Sequence, residues 1–329
     1  MSRLAPCLLV VLLAGCDLLF GTGNPPGTGD DDDAASADRF AALDASCDAL
    51  VLSAEGDSGA SQAQREAVRR VNCYRQLAGL PEVTLHPQLD LAAQNHADYA
   101  AANDEFSHGE ADATHELWTG NTARDRIQAV GYPYDGSVET VAEVMTRQPS
   151  ADPTRAVDKW MESVYHRVPL VVPAVVGLGA GSAGQYDVID IVTPWEHGDG
   201  GTALAFGRYP APNQEDVAVA WDSDWEIPDP APNAGDIGVP VTLTLLYGTL
   251  LGTGNPYSIA VDAAQTSLTT DSGPVGFTLL DPSNDALLQR SIALVPDAPY
   301  EAGTTYTALF VFTVDGTPVE QQWSFTTAP

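Results

Sequence analysis

The sequence predicts two folded units of different class: an α+β layered domain over roughly residues 41–195, then an all-β sandwich over residues 237–329. Apolar residues recur at helical spacing from Val68 towards Tyr165, and β-type runs arrive only at the end of that stretch. From Val241 onward, short runs rich in Val, Thr, Leu and Phe follow one another with almost no helix signal. A chain of 329 residues has room for about two such domains once a leader and a tether are set aside.

At 44% hydrophobic residues, the chain has enough apolar material for real cores. Its formal net charge of −31 comes from only 14 Lys+Arg against 45 Asp+Glu. That balance excludes nucleic-acid partners, because nothing could neutralise a phosphate backbone. It also disfavours electrostatic docking on anionic membranes. The charge reads as a soluble, self-repelling surface.

Residues 1–15 read as a secretory signal: Arg3, an apolar run from Leu4 to Leu13, then the small residues Ala14 and Gly15. The run is too short to span a bilayer, which takes about 20 apolar residues. Leu13-Ala14-Gly15-Cys16 resembles a bacterial lipobox. The resemblance implies cleavage before Cys16, acyl chains on its sulfur and an extracytoplasmic protein anchored to a bacterial membrane, periplasmic or at the cell surface. Each buried CH₂ of such an anchor contributes about 0.8 kcal/mol. Residues 16–40, with Asp30 to Asp33, read as a disordered acidic tether rather than a calcium site. Cys7 leaves with the leader and Cys16 is acylated, so Cys47 and Cys73 remain. In an exported protein an even pair is most simply a disulfide, the alternative being two buried thiols.

Ser61 opens a helix carrying Val68, Val71, Tyr74 and Leu77, which Gly79 and Pro81 stop. A second starts at Pro87 with Leu89, Ala92, Ala93, His96, Tyr99 and Ala100 on one face; His96 there reads as a satisfied core residue. Thr122 to Val130 makes a third, ended by Gly131. Asp152 caps a fourth running towards Tyr165, with Pro153 at its first position. Residues 138–145 are a strand candidate, and the apolar runs Leu170 to Leu178 and Tyr186 to Val192 read as strands.

The order Asn72-Cys73-Tyr74-Arg75, Ala78-Gly79-Leu80, Ala93-Gln94-Asn95-His96, Phe106-Ser107-His108, Arg126, Gly131-Tyr132, Glu143, Trp160-Met161, Ser163, His166-Arg167 and Gly177-Leu178-Gly179 resembles the CAP (SCP-like) family of cysteine-rich secretory, antigen 5 and pathogenesis-related proteins. The likeness covers about residues 62–193 and implies an αβα sandwich with an open cleft. It implies that His108 and His166 face each other there with Glu143, and with Glu162 as a looser match for a second acid. The sequence departs from the family pattern at Ala142 and Val144 around Glu143, and at Val164-Tyr165 before His166.

Two imidazoles and a carboxylate suit Zn²⁺ or another divalent cation with an open position. The same His108, Glu143 and His166 are candidates for general acid/base catalysis. They equally suit a hydrogen-bonded cluster that holds the cleft together without metal. Ser107 and Ser163 lack the elbow and oxyanion-hole motifs of a serine hydrolase. Glu110, Asp112, His115 and Glu116 form a rival cluster that reads as a polar solvated loop, and Glu139 is a spare acid candidate.

Residues 196–236 read as a Pro/Gly-rich linker with a possible first strand at Val217 to Trp221. Trp221-Asp222-Ser223-Asp224-Trp225-Glu226 fits interdomain packing better than a sugar or cation contact. In the β module Tyr306, Ala308, Phe310 and Phe312 alternate onto one face, and Asp315-Gly316 suits a tight hairpin. Tyr300, Gly303-Thr304, Tyr306, Asp315-Gly316, Trp323, Phe325 and Thr327 resemble the closing strands of bacterial Ig-like domains. The combined expectation is a cell-envelope binding module whose His/Glu cleft is a candidate for a divalent metal. Its partner would be an envelope component, a lipid or an extracellular protein. The alternatives are a hydrolase of peptide or envelope polymer and a lipid- or sterol-binding protein.

Overall fold

The computed structural model describes residues 40–49, 59–136, 139–194, 204–232, 234–247 and 258–329. The leader, Cys16, the tether up to residue 39 and His197 lie outside these residues. Among the described residues no helix is long and apolar enough to cross a membrane.

Helix α1 (Ala41–Ala49) is tied by the Cys47–Cys73 disulfide to α2 (Gln62–Leu77). Helix α2 opens on a reciprocal capping box: Ser61 Oγ accepts from the Gln64 N–H, and Gln64 Oε1 accepts from the Ser61 N–H. Helix α3 (Pro87–Asn103) starts on a proline whose missing N–H costs nothing there. The Thr122–Asp125 capping box opens α4 (Ala123–Ala129). Strand β1 (Glu139–Arg147) follows, then α5 (Pro153–Glu162), whose Arg155 N–H is capped by Asp152. The expected run towards Tyr165 breaks at Ser163, and a short turn of helix, α6 (Arg167–Leu170), follows.

Strands β2 (Gly177–Ala183) and β3 (Tyr186–Pro194) join β1 in an antiparallel sheet of order β1–β3–β2. The alternation of side chains splits the core in two. Val141, Met145, Val188 and Val192 face Leu89, Ala92, Ala93 and Ala97 of α3. Val144, Leu178, Ala180, Ile189 and Ile191 pack with Ala67, Val68 and Val71 of α2 and Trp160 and Met161 of α5. The result is three layers, helix–sheet–helix.

The run Leu170 to Leu178, expected as a strand, is not one; the strand begins at Gly177. Its glycines carry no side chain to add to the strand's apolar alternation. They are there for close approach: a Cβ at Gly179 would sit 2.0 Å from the Leu89 carbonyl carbon, and one at Gly181 would sit 2.3 Å from the Gln94 nitrogen. Helix α3 lies directly on the backbone of β2.

The second unit starts earlier than expected. Residues Leu204–Tyr209, placed in the linker by sequence, form strand β4. Of the strand anticipated at Val217 to Trp221, Val217 makes an isolated bridge to Thr327, and the two-residue β5 (Trp221–Asp222) pairs with β6 (Asp236–Ile237). Then come β7 (Val241–Tyr247), β8 (Ile259–Val261), β9 (Ser267–Thr270), β10 (Gly273–Pro274), β11 (Phe277–Leu280), β12 (Ser291–Pro296), β13 (Thr305–Val314) and β14 (Thr317–Thr326). One sheet has the order β11–β12–β7–β4; the other has β10–β9–β13–β14, with β8 also on β13. Tyr306, Ala308, Phe310, Phe312 and Val314 are buried on one face of β13. Asp315 and Gly316 both have positive φ, +48° and +79°, as the two-residue turn before β14 requires.

The two units are in contact through a shared hydrophobic cluster. Strand β4 meets the first unit at Gly207, where a Cβ would lie 1.9 Å from the Val171 carbonyl oxygen. Tyr209 packs edge-on against Tyr74, with ring centroids 5.9 Å apart, and the Arg167 guanidinium lies over its face.

Candidate functional site

Strand alternation puts Glu143 on the α3 side of the sheet, between Val141 and Met145, with Asp190 directly opposite on β3. Burial alone would push the Glu143 carboxyl up. Arg126 and His96 reverse that and hold it well below the usual carboxylate range. Arg126 Nη2 donates to Glu143 Oε2, and His108 Nδ1 lies 2.8 Å from Glu143 Oε1. Arg126 also donates to the His108 carbonyl at 3.1 Å, so one guanidinium fixes both the acid and the backbone of the histidine beside it. Burial lowers the Arg126 pKa, but Glu143 and Asp190 overcome it and leave it raised.

His108 follows α3 in a loop that is anchored from beneath. His96 on α3 is wholly buried, with Nδ1 3.0 Å from Glu110 Oε1 and Nε2 3.0 Å from the Ser107 carbonyl oxygen. Glu110 accepts the N–H groups of Thr119 (2.6 Å) and Gly120 (3.2 Å) as well. Against the expectation of a solvated loop, Glu110 is therefore a buried internal anchor, and only its neighbours Asp112, His115 and Glu116 are exposed. Burial lowers the His108 pKa, and Glu143 only partly restores it. The ring is thus neutral at pH 7, with Nδ1 donating to Glu143 and Nε2 pointing away from it. A neutral imidazole held in this way can act as a metal ligand or a proton acceptor.

His166 lies within electrostatic range of His108. The side chains are 12% and 13% exposed, so both reach solvent while their carboxylate partners do not. The partner of His166 is Glu226, with Oε1 3.0 Å from His166 Nδ1. Glu162 is not part of this pair. It lines a cavity of about 280 Å³ beside Tyr74, Leu77 and Tyr209. Glu139 instead accepts the Asp135 N–H at 3.3 Å. Ser107 Oγ accepts the Gly109 N–H and Ser163 Oγ donates to the Trp160 carbonyl, so each serine is engaged in its own local turn.

Sequence reasoning left three groups without a role. Arg126 appeared only as a matched position, although it clamps Glu143. Asp190 is fully buried, and neither carboxyl oxygen is offered a donor. Burial and the nearby Glu143 push its pKa well above the ordinary value. Its signal was an acid in register with Val188 and Val192 inside an apolar run. Glu226 had no local signal beyond the tryptophans flanking its segment.

Glu143 has an oxygen on His108 and an oxygen on Arg126, which places it behind the His108 ring. Among the described residues, no three or more His, Cys, Asp or Glu side chains are grouped to hold a metal ion. The donors that do fit a divalent cation are the two imidazoles, each backed by a carboxylate at Nδ1, the outer-shell arrangement that orients metal-binding histidines.

Residues 68–193 match the model of the cysteine-rich secretory protein (CAP) family. The chain therefore carries a CAP domain, which accounts for well under half of its 329 residues. Among solved structures, an extracellular protein containing an SCP domain from Bacillus anthracis is similar at 23% identity, with 40% of each chain covered and a TM-score of 0.34. An outer surface protein from Borrelia burgdorferi is similar at 18% identity over 38% of this chain and 85% of its own, with a TM-score of 0.29. This chain thus spans 40% of the first of these structures. No curated protein matches it in sequence.

Proposed function

We propose that this chain is an extracytoplasmic binding protein, held to a bacterial envelope by acylation of Cys16, which presents the CAP-domain cleft between His108 and His166 to a partner. The observation that carries this reading is the pair of histidines, each partly exposed and each hydrogen-bonded through Nδ1 to a buried carboxylate. Buried anchors fix the rings in place and direct Nε2 of each outward from its carboxylate. His108 and His166 would hold a divalent cation such as Zn²⁺ through these atoms, with Glu143 and Glu226 orienting the rings. The cation would supply a Lewis-acidic coordination point for a donor group of the partner. The two-sheet module that follows is taken as an immunoglobulin-like sandwich, a common spacer or adhesion unit.

The test is Zn²⁺ titration of the purified full chain by calorimetry, with His108→Ala and His166→Ala for comparison. Micromolar binding that is lost in both variants while circular dichroism stays native is the expected result. No binding, or binding that neither substitution weakens, would overturn the cation reading.

A further inference from the structure

The two histidines of the cleft are held from different parts of the chain. His108 is fixed from within the CAP domain, by Glu143 and Arg126. His166 is fixed by Glu226, which lies sixty residues further on and beyond the CAP match. The Glu226 side chain is wholly buried. It accepts the backbone N–H groups of Val164 (2.7 Å), Tyr165 (2.6 Å) and His166 (3.1 Å), besides facing His166 Nδ1. A buried carboxylate is tolerated only where its lone pairs are met by donors, and here four N–H sites of one turn meet them. Glu226 is itself placed by a short 3₁₀ turn, Ser223–Trp225, with its N–H on the Ser223 carbonyl at 3.1 Å.

The residues on either side of His166 are gripped by the β module as well. Tyr165 Oη donates to Asp285 Oδ2 at 2.6 Å, in the loop between β11 and β12. Arg167, fully buried, donates to the Pro240 carbonyl and to Thr242 Oγ1 at the start of β7. The Tyr165 departure from the family pattern therefore has a physical use: its hydroxyl is a latch to the second module. A side chain without a hydroxyl could make no such bond.

We propose that the β module is part of the cleft, and that Glu226 is the positioning residue that sets the ring orientation and Nδ1–H tautomer of His166. Cleft binding and module docking are then linked: whatever binds His166 in this orientation strengthens the docking, and undocking weakens the binding by the same factor. This rests on the cleft being the binding site only in its consequence for ligand affinity; the positioning itself is independent of any ligand.

The test uses the full chain with ¹⁵N-labelled histidine. Long-range ¹H–¹⁵N spectra report which ring nitrogen of each histidine carries the hydrogen, with assignments made by His108→Ala and His166→Ala. In the parent chain His166 shows Nδ1–H. In Glu226→Gln the His166 signature changes while that of His108, held by Glu143, does not; in Tyr165→Phe both stay as in the parent. An unchanged His166 in Glu226→Gln, or equal changes at both histidines, would overturn the proposal. Should Glu226→Gln fail to fold, hydrogen exchange of the parent chain decides instead. The Val164, Tyr165 and His166 amides should be protected as strongly as those of β7, and exchange orders of magnitude faster would refute the anchoring. Where Zn²⁺ binds, Glu226→Gln should weaken it roughly 10–100-fold and Tyr165→Phe much less. Zinc that binds no variant sinks the cation reading alone, and the ring signature still decides the role of Glu226.

Discussion

Gly181→Ala adds one methyl group, yet the structure makes it a severe change. The new Cβ would sit 2.3 Å from the Gln94 nitrogen and 2.4 Å from the Ala93 carbonyl carbon, both backbone atoms of α3. Real Cβ contacts essentially never fall under 3.0 Å. A side chain could rotate away, but a helix backbone cannot. Ordinary carbon contacts lie near 3.5–4.0 Å, so α3 must retreat from β2 by roughly 1 Å. That retreat loosens the layer where Ala93 and Ala97 meet Met145 and Val188. Overpacked cores lose about 1–3 kcal/mol, and this case belongs at or above about 3 because the obstacle is rigid. Gly177→Ala is the internal comparison: its closest neighbour would be Leu89 Cδ1 at 3.0 Å, the end of a side chain that can turn, with His86 Cβ and Tyr132 Oη at an ordinary 3.6 Å, so about 1 kcal/mol is expected. Gly59→Ala, with nothing within 4 Å, should be close to neutral. Urea unfolding of the full chain, comparing midpoints at constant m, measures the series. Equal losses for Gly177→Ala and Gly181→Ala would refute the close-approach argument, because the two differ in what the methyl group strikes and hardly in strand propensity.

Two further outcomes follow from the same geometry. Burial and Glu143 raise the Asp190 pKa in the folded protein, whereas the unfolded chain releases this proton near pH 4, so Asp190 costs stability increasingly as pH rises above about 4. Asp190→Asn should therefore stabilise the protein at pH 7, with the gain vanishing towards pH 4; destabilisation at pH 7 would refute the raised pKa. If Cys16 is acylated as proposed, Cys16→Ser should move the protein, produced in a bacterium, from the membrane fraction to the soluble fraction, and an unchanged distribution would remove the lipid anchor from the proposed function.

Much of the CAP domain was legible in the sequence because its signals are local. Ser61, Thr122 and Asp152 act as caps within three residues of the N–H groups they satisfy, and Pro87 and Pro153 mark first turns. Alternation along Thr305–Val314 placed the buried face of its strand without reference to any partner. The meeting of His108 with Glu143 was legible through their pattern of neighbours, and the disulfide through cysteine arithmetic.

What the tertiary structure alone decided is which groups far apart in sequence share a buried charge. Periodicity reports the face a residue takes, but not the element that will cover it. Glu162 was the nearer acid to His166 in sequence, but α5 turns it towards Tyr74 and Tyr209 while a 3₁₀ turn sixty residues on delivers Glu226. Gly179, Gly181 and Gly207 are where a helix backbone and the neighbouring unit come closest. A close contact and a buried hydrogen bond both belong to two segments at once. The amino-acid order fixes each half, and only packing in three dimensions brings the halves together.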